Sequence, residues 1–457
     1  MLEGLEIKEV TISECLKQKD LRLEADFWIL KNKAQIKTIK GRETIDFVQY
    51  GTSKELIEEK EGYPTLRLNE FDSRFIGVPS KYCNLISQDD FESLKLRKND
   101  VLICRTNGNP NLVGKCALVA ENVEYAYASY LFKIRPKKKL INSATLVAFL
   151  SCKHGRNEID KYSMTSNQTN FSPAKFREID IPLFSARTNN EVERLYYKAF
   201  DKLKNSENIY HQAEELLLET IGLKNFKPST KGTNIKSFKD SFWVTGRLDA
   251  EYYQPKYEEI INILTSYKGG FDFLGKLCST YRGNFVEECF YTDSNSKYAY
   301  IRGADISSNI MMTDKMTYLD ENFVKTNERL VQKGDIVIAL IGSVGTAALV
   351  TENHINSIVS NNLGFVRINS EKILPEYLHL FLTNKNIGGL LFAQQEMRTA
   401  QPKISDKDTH NFPIPLIDNK IQQQIASLIE ESFSLRRKSE KLLEEAKEMV
   451  EREIEGK

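Results

Sequence analysis

Two long segments of the chain carry apolar and small residues at heptad spacing. Charged residues fill the positions between them, which is typical of helices that pair in a coiled coil. The predicted seams are Val192, Leu195, Ala199, Lys202, Ser206, Ile209, Ala213, Leu216 and Thr220 in the first segment, and Ile421, Ile425, Leu428, Ser432, Leu435, Ser439, Leu442, Ala446 and Met449 in the second. Because Ser, Ala and, in the first segment, Lys interrupt the apolar residues at these positions, each helix needs a partner. The other helix is the simplest one.

Short apolar runs bounded by Gly, Asn and Pro lie before each long segment. They read DVLICR, CALVA and YLFKIR in the first half, and DIVIAL and GFVRI in the second. Such runs are typical of strands separated by turns. One further helix per half is expected near residues 144–152 and 375–383. The predicted fold class is therefore α+β, with each globule followed by a long helix and the two helices pairing as an antiparallel coiled coil.

The two halves repeat one another in order. RLEADFWILK at residues 22–31 corresponds to RLDAEYYQPK at 247–256, and we expect the aromatic pair in each phrase to anchor it against the core. LRKNDVLI corresponds to VQKGDIVI, which aligns Asp100 with Asp335. TSNQTNFS corresponds to RTAQPKIS, which aligns Gln168 with Gln401. The chain is therefore a tandem duplication.

The duplication predicts five segments along the chain. They are a first globular domain at 1–185, a central helix at 186–223, a linker at 224–245, a second globular domain at 246–416 and a C-terminal helix at 417–457.

Composition narrows the class of protein. A chain of 457 residues is too long for one ordinary core, and its 41% hydrophobic and 28% charged residues are typical of a folded globular protein. The absence of a membrane-spanning apolar run, the acidic N-terminus and seven scattered cysteines predict a cytoplasmic protein with reduced thiols.

The net charge of +1 is unevenly distributed. Residues 95–177 hold 15 Lys and Arg against 5 Asp and Glu, whereas residues 329–403 hold 7 against 5. The first stretch is either a phosphate-facing surface or an ordinary solvated face.

No catalytic motif emerges from the sequence. GNPNLVGKC has five residues between its glycines and a cysteine where a phosphate loop has Ser or Thr, and the five histidines do not cluster at metal-ligand spacing. An adenine-methylating Asn-Pro-Pro or Asp-Pro-Pro motif followed by an aromatic residue does not occur. We therefore predict a chain that is not an enzyme and has no metal or cofactor site of its own.

The duplicated RLDAEYYQPK-type phrase, the stretch KGDIVIALIGSVGTAALV, the Gln-containing turn before IPL and the long helix ending each half resemble the DNA-specificity subunit of type I restriction-modification enzymes. The resemblance covers essentially the whole chain in two copies. It implies phage defence, with two domains that each read one half of a split double-stranded DNA target. It also implies docking of two methyltransferase subunits and of restriction/translocase subunits, with S-adenosylmethionine, ATP and Mg²⁺ on those partners.

The paired helices would then set the distance between the half-sites. A helix of roughly 29 heptad residues is about 43 Å long, which corresponds to about 13 base pairs of duplex. Because the loops differ most between the two copies, we expect the two half-sites to differ and the full target to be asymmetric.

The candidate DNA-binding residues carry side chains that pair with base edges or phosphate. Gln168 and Gln401 bond either adenine or their own backbone, and Arg67 and Arg302 contact either phosphate or a neighbouring carboxylate. The full set is Arg67, Arg105, Asn107, Asn109, Lys115, Gln168, Arg302, Ser343, Thr346, Gln401 and Lys403.

Three other functions remain open from the sequence. The chain could serve as the DNA-recognition module of a methylation-only or other phage-defence complex, as a coiled-coil scaffold that does not bind DNA, or as an independent enzyme. Neighbouring genes for a methyltransferase and a translocase would separate the first from a restriction system, and a filter-binding assay would separate the second.

Overall fold

The computed structural model describes residues 9–16, 27–28, 36–163, 169–292, 296–307, 310–311, 316–324 and 329–457. The chain divides into two compact units, one formed by Met1–Asn205 with Ser434–Lys457 and the other by Ser206–Phe433. Each unit therefore combines one globule with a part of each long helix.

In the described residues of the first globule, short strands form three sheets. The six-stranded sheet has the order β2-β10-β7-β8-β5-β4, the three-stranded sheet is β6-β3-β9, and β1 pairs with β11. The strands are β1 (Thr38–Lys40), β2 (Ile45–Tyr50), β3 (Tyr63–Leu66), β4 (Phe71–Asp72), β5 (Phe75–Ile76), β6 (Lys81–Cys83), β7 (Val101–Cys104), β8 (Cys116–Leu118), β9 (Ala126–Tyr127), β10 (Leu131–Pro136) and β11 (Asp180–Pro182). The helices are α1 (Ile12–Leu16), α2 (Gly41–Thr44), α3 (Gln88–Leu94), α4 (Ser143–Ser151), α5 (Lys153–Ser163) and α6 (Pro173–Phe176), and the long helix α7 (Ala186–Thr220) follows.

The second globule repeats this plan in its described residues. Its sheets have the orders β13-β22-β19-β20, β14-β18-β15-β21, β12-β23 and β16-β17. The strands are β12 (Phe271–Phe273), β13 (Cys278–Arg282), β14 (Tyr291–Thr292), β15 (Ala299–Ile301), β16 (Ile306–Ser307), β17 (Ile310–Met311), β18 (Thr317–Leu319), β19 (Ile336–Ala339), β20 (Ala347–Leu349), β21 (Ile358–Val359), β22 (Leu363–Ile368) and β23 (Pro413–Pro415). The helices are α8 (Phe242–Thr245), α9 (Pro255–Thr265), α10 (Leu274–Leu277), α11 (Glu321–Val324), α12 (Pro375–Thr383) and α13 (Gly388–Gln395), and the long helix α14 (Asn419–Glu455) ends the fold.

Strand pairing confirms the duplication. The antiparallel order β2-β10-β7-β8 of the first unit recurs as β13-β22-β19-β20 in the second. Each unit also has one parallel pair of the same kind, β3 with β9 and β15 with β21. The predicted α+β class with two similar globules and two long helices is therefore confirmed, as are the strands and the helices α4 and α12.

The same buried ion pair organises the central sheet of both units. Asn99 and Gly334 take left-handed backbone conformations with φ of 72° and 88°, in the turn that places the next residue, Asp100 or Asp335, in the core. In the first unit the Nε of Arg135 donates to Asp100 at 2.8 Å. In the second, the Nε and Nη2 of Arg367 donate to Asp335 at 2.9 and 2.7 Å. These aligned ion pairs therefore hold β7 and β19 in place. Each of these strands leads into the loop that differs between the two copies, residues 105–115 and 340–346, which we call the variable loop.

Within each unit the two helix segments are joined by side chain-to-backbone hydrogen bonds. In the first unit the backbone N–H of Ser185 donates to Glu453, and two heptads later the hydroxyl of Ser439 donates to the carbonyl of Ala199 at 2.8 Å. As the contacts move toward the C-terminus of α7, they move toward the N-terminus of α14, so the two segments run antiparallel. In the second unit the hydroxyl of Ser432 donates to the carbonyl of Ser206 at 2.9 Å. Small residues at these positions allow the backbones to approach closely.

One row of each predicted seam is buried. In the other row Leu195 is buried as predicted, but the remaining buried residues lie one position later than predicted. Val192, Ala199, Ser206 and Ala213, and Ile425, Ser432, Ser439 and Ala446, are buried as predicted. The second row consists of Tyr196, Leu203 and Leu217 in α7, and of Gln422, Ile429, Arg436, Leu443 and Val450 in α14, each one residue later than predicted. The reason is that, within each unit, the helix segments pack on the globule as well as on each other, so the buried face is not set by helix pairing alone.

The aromatic residues of the repeated phrase pack as structural anchors. Phe27 and Trp28 are buried in the first core, with ring centroids 5.2 Å apart, while the rest of that phrase lies outside the described residues. In the second phrase Tyr252 and Tyr253 pack edge to face at 4.9 Å, and the hydroxyl of Tyr253 donates to the carbonyl of Arg247 at 3.0 Å. The predicted anchoring against the core is therefore confirmed for the first phrase, whereas the two tyrosines of the second phrase are half-buried.

Candidate nucleic-acid interface

The loop after β7 lies against the polar turn before α6 in the first unit. The backbone N–H of Arg105 donates to the carbonyl of Tyr130, and the backbone N–H of Phe171 donates to the carbonyl of Arg105, both at 2.7 Å. Thr106 and Asn170 form an antiparallel bridge. The fold thus brings together two segments that the sequence singled out, although Gln168 itself lies outside the described residues.

A cleft of about 520 Å³ opens beside this loop. Asn107 and Lys115, two of the predicted DNA-binding residues, lie in its wall. The full lining is Leu68, Asn69, Thr106, Asn107, Gly108, Leu112, Lys115 and Tyr130. Sequence reasoning missed Asn69 and Tyr130, because only the sheet brings β3 and β10 beside the loop.

The asparagines of the loop shape its backbone. The side-chain carbonyl of Asn107 accepts from the backbone N–H of Asn109 at 2.8 Å, and that of Asn109 accepts from Asn111 at 3.0 Å. These are Asx turns, which occupy the acceptor oxygen of each amide. Gly114 closes the loop with φ of +77°, and a Cβ there would lie 2.6 Å from Ile159. The loop is therefore held in one shape before any ligand arrives.

Arg105 presents a guanidinium that the protein leaves incompletely satisfied. Its guanidinium carbon lies 5.2 Å from the ring centroid of Tyr50, a cation–π contact. Among the described residues its Nε has no hydrogen-bond partner although the atom is buried. Because the Nε is buried, donation from Arg105 to a base edge or a phosphate would come from the terminal nitrogens of its guanidinium.

Burial raises the pKa of two groups next to this loop. It raises the pKa of the Tyr130 hydroxyl to about 12, so Tyr130 is a hydrogen-bond donor at neutral pH. It raises the pKa of the Cys104 thiol to about 11, so that thiol is not a nucleophile.

The second unit builds the corresponding loop on the same backbone contacts. The backbone N–H groups of Leu340 and Ile341 donate to the carbonyl of Asn362 at 3.0 and 3.1 Å. The backbone N–H of Ile404 donates to the carbonyl of Leu340 at 2.9 Å, and Ile341 bridges Lys403. Loop and turn are again brought together, now with different side chains.

Most of the predicted residues of this unit lie on one surface. Ser343, Gln401 and Lys403 are exposed, and Thr346 is half-buried at the end of the loop. Gly345 has φ of +82°, and a Cβ there would lie 2.8 Å from Phe392. This loop is shorter than its counterpart and presents smaller side chains.

Arg67 and Arg302 both bind carboxylates. The Nη2 of Arg67 donates to Glu70 at 2.8 Å, and the Nε of Arg302 donates to Asp305 at 3.3 Å. Of the two alternatives left open by the sequence, the structure shows the ion pair, which shapes the 3₁₀ turn after β3 and after β15.

Several cations of the basic stretch at 95–177 are bound within the protein. Six of its cations pair with carboxylates: Lys95, Arg135, Lys138, Lys153, Arg156 and Lys161. Lys133 is buried, donates to the carbonyls that end α3, and has its pKa lowered by burial to about 8.

Neither a metal site nor a membrane span is found in the parts of the chain that the structure describes. Across those ranges no three His, Cys, Asp or Glu side chains are grouped closely enough to hold a metal ion. Within the same residues, no helix is both long enough and apolar enough to cross a membrane.

Fold and loops together define a duplicated protein, in which one scaffold presents two different loops. Residues 281–447 match the family described as Type I restriction modification DNA specificity domain. The chain is 21% identical over 419 residues to the type I restriction enzyme EcoKI specificity subunit of Escherichia coli K12, covering 89% of this chain and 82% of that protein. It is 30% identical over 92 residues, 20% of each chain, to the StySPI specificity subunit of Salmonella potsdam. The predicted resemblance to specificity subunits of type I restriction-modification enzymes is therefore confirmed.

Solved structures of this kind are also similar to the chain. The type I restriction-modification S subunit from M. genitalium is 12% identical, with a TM-score of 0.40 and coverage of 93% of this chain and 97% of that one. The HsdS subunit from Thermoanaerobacter tengcongensis is 13% identical, with a TM-score of 0.30 and coverage of 93% and 98%.

Proposed function

We propose that this chain is the DNA-specificity subunit of a type I restriction-modification complex and that each unit reads one half of a bipartite target. The observation that carries the proposal is the loop-and-turn pair built twice on the same backbone contacts, with different side chains each time. Recognition of a DNA sequence requires such an arrangement. The repeated backbone positions the protein on the DNA, and the differing polar side chains select the bases.

The two half-sites differ in this proposal, so the complete target is asymmetric. The first unit offers Asn107 and Lys115 in the wall of a cleft and Arg105 in the same loop, which suit acceptor-rich base edges and phosphate. The second offers Ser343, Thr346 and Gln401. Different donor and acceptor sets select different base pairs.

The partners of the complex supply its chemistry. We expect methyltransferase subunits, two of them, to dock on the paired helices and a restriction/translocase subunit to join them in the cytoplasm. S-adenosylmethionine, ATP and Mg²⁺ would bind to those partners, and this chain would contribute recognition without catalysis. Helices α7 and α14 would also set the spacing of the half-sites.

A filter-binding assay with and without the methyltransferase encoded beside this chain tests the proposal. We expect sequence-selective retention of duplex DNA that weakens steeply with added salt, because phosphate contacts release counterions. Retention of no sequence above background in either condition would refute DNA recognition and favour a scaffold.

A further inference from the structure

The strand beside each variable loop follows the same path in both units. Tyr50 ends β2 opposite Phe132, and Arg282 ends β13 opposite Gly364. Each is followed by a glycine whose backbone N–H donates to the first residue of the neighbouring strand, Leu131 at 3.3 Å and Leu363 at 3.0 Å. Tyr50 and Arg282 therefore occupy the same structural position.

The next contacts along the strand continue this equivalence. The backbone N–H of Thr52 donates to the carbonyl of Tyr127 at 2.9 Å, and that of Asn284 donates to Val359 at 2.8 Å. Thr52 and Asn284 also each make a parallel bridge, to Ala128 and Ser360. Because these contacts match, the side chains of Tyr50 and Arg282, two residues earlier, leave the sheet on the same face.

This position touches the variable loop. In the first unit the guanidinium of Arg105, from the loop, lies over the ring of Tyr50. In the second unit the loop residue that takes the place of Arg105 is Leu340, since both are held by the same pair of backbone hydrogen bonds. Leu340 is buried and packs toward Gly364, on the strand paired with Arg282.

The two units thus differ in which segment carries the arginine. The first takes it from the loop and places an aromatic ring on the strand, whereas the second places an aliphatic residue in the loop and the guanidinium on the strand. Arg282 is exposed, and no carboxylate in the described part of the chain lies within 4 Å of its guanidinium nitrogens. By contrast, Arg302 and Arg367 of the same unit bind Asp305 and Asp335.

We propose that Arg282 contacts DNA in the second half-site and supplies there the guanidinium that Arg105 supplies in the first. This inference rests on the proposed function and adds a specificity-determining residue that the loop alignment does not contain. The ligand chemistry is a pair of neighbouring acceptors, such as the O6 and N7 edge of guanine, that the planar fork of arginine fits.

The test compares Arg282→Ala with a matched loss of one exposed charge in the same unit, Lys268→Ala. Both variants of the full chain, with the methyltransferase, are titrated with the duplex that the wild type selects. We expect Arg282→Ala to weaken binding by about 10- to 100-fold and Lys268→Ala by less than about twofold. Thermal unfolding of both variants should match that of the wild type, since both side chains are exposed.

Equal affinity of Arg282→Ala and wild type for that duplex would overturn the inference and leave the proposed function intact. Equal losses in the two variants would also overturn it, because Arg282 would then be one surface charge among many. Failure of the wild type itself to select any duplex would instead remove the proposed function, and this inference with it.

Discussion

The ion pair between Asp335 and Arg367 should account for much of the stability of the second unit. Replacing Asp335 by Ala removes two charge-assisted hydrogen bonds and the acceptor for the backbone N–H of Gln332, at 2.8 Å. Loss of one partner from a fully buried pair costs about 3–5 kcal/mol. Arg367 is 26% exposed and also donates to the carbonyl of Leu330, so water and that carbonyl offset part of the penalty. We therefore expect a cost of about 2–3 kcal/mol.

The duplicated pair in the first unit provides a matched comparison. Arg135 is 37% exposed and contacts a single oxygen of Asp100, so Asp100→Ala should cost less, about 1–2 kcal/mol. Hydrogen exchange read by mass spectrometry separates the units. Asp335→Ala should speed exchange in β19 and β22 and spare β7 and β10, whereas Asp100→Ala should do the reverse. Faster exchange in both units from either variant, or in neither, would refute this reasoning.

Three further predictions concern the loops, a buried lysine and the helices. Asn107→Asp keeps the Asx-turn acceptor but replaces the amide donor by a charge, so DNA affinity should fall while the melting temperature stays constant; equal affinity would remove Asn107 from the interface. Burial lowers the pKa of Lys133 to about 8, so the folded chain binds fewer protons there than the unfolded chain between about pH 8 and 10.5. Urea unfolding should therefore show wild type gaining stability relative to Lys133→Met as pH rises through that range, and a constant difference would contradict this. If the helices set half-site spacing, one added heptad in each, after Asn205 and after Phe433, should lengthen it by about 10 Å or three base pairs, and unchanged spacing in the methylated motif would show that they do not.

The sequence predicted the parts of the fold that depend on local pattern. Aligned strands and the Asp100–Asp335 correspondence follow from apolar runs and turns, which local backbone preferences determine. The prediction of buried helix positions was only partly correct, because burial of Tyr196 and Ile429 depends on packing against the globules as well as on heptad spacing.

The interface depended more on contacts distant in sequence. The loops after β7 and β19 could be found because the two copies differ there. Tyr130 and Arg282 could not, since strand pairing alone places them beside those loops. The ion pair of Arg67 with Glu70 was one of two open alternatives, and only side-chain geometry separates them.

The most direct test of bipartite reading is methylation-sensitive sequencing of genomic DNA from cells that co-express this chain with its methyltransferase. We expect one asymmetric motif with two specified halves separated by an unspecified gap, present only when this chain is expressed. A palindromic motif would contradict the inference that the two units read different sequences, and methylation independent of this chain would contradict its role in specificity.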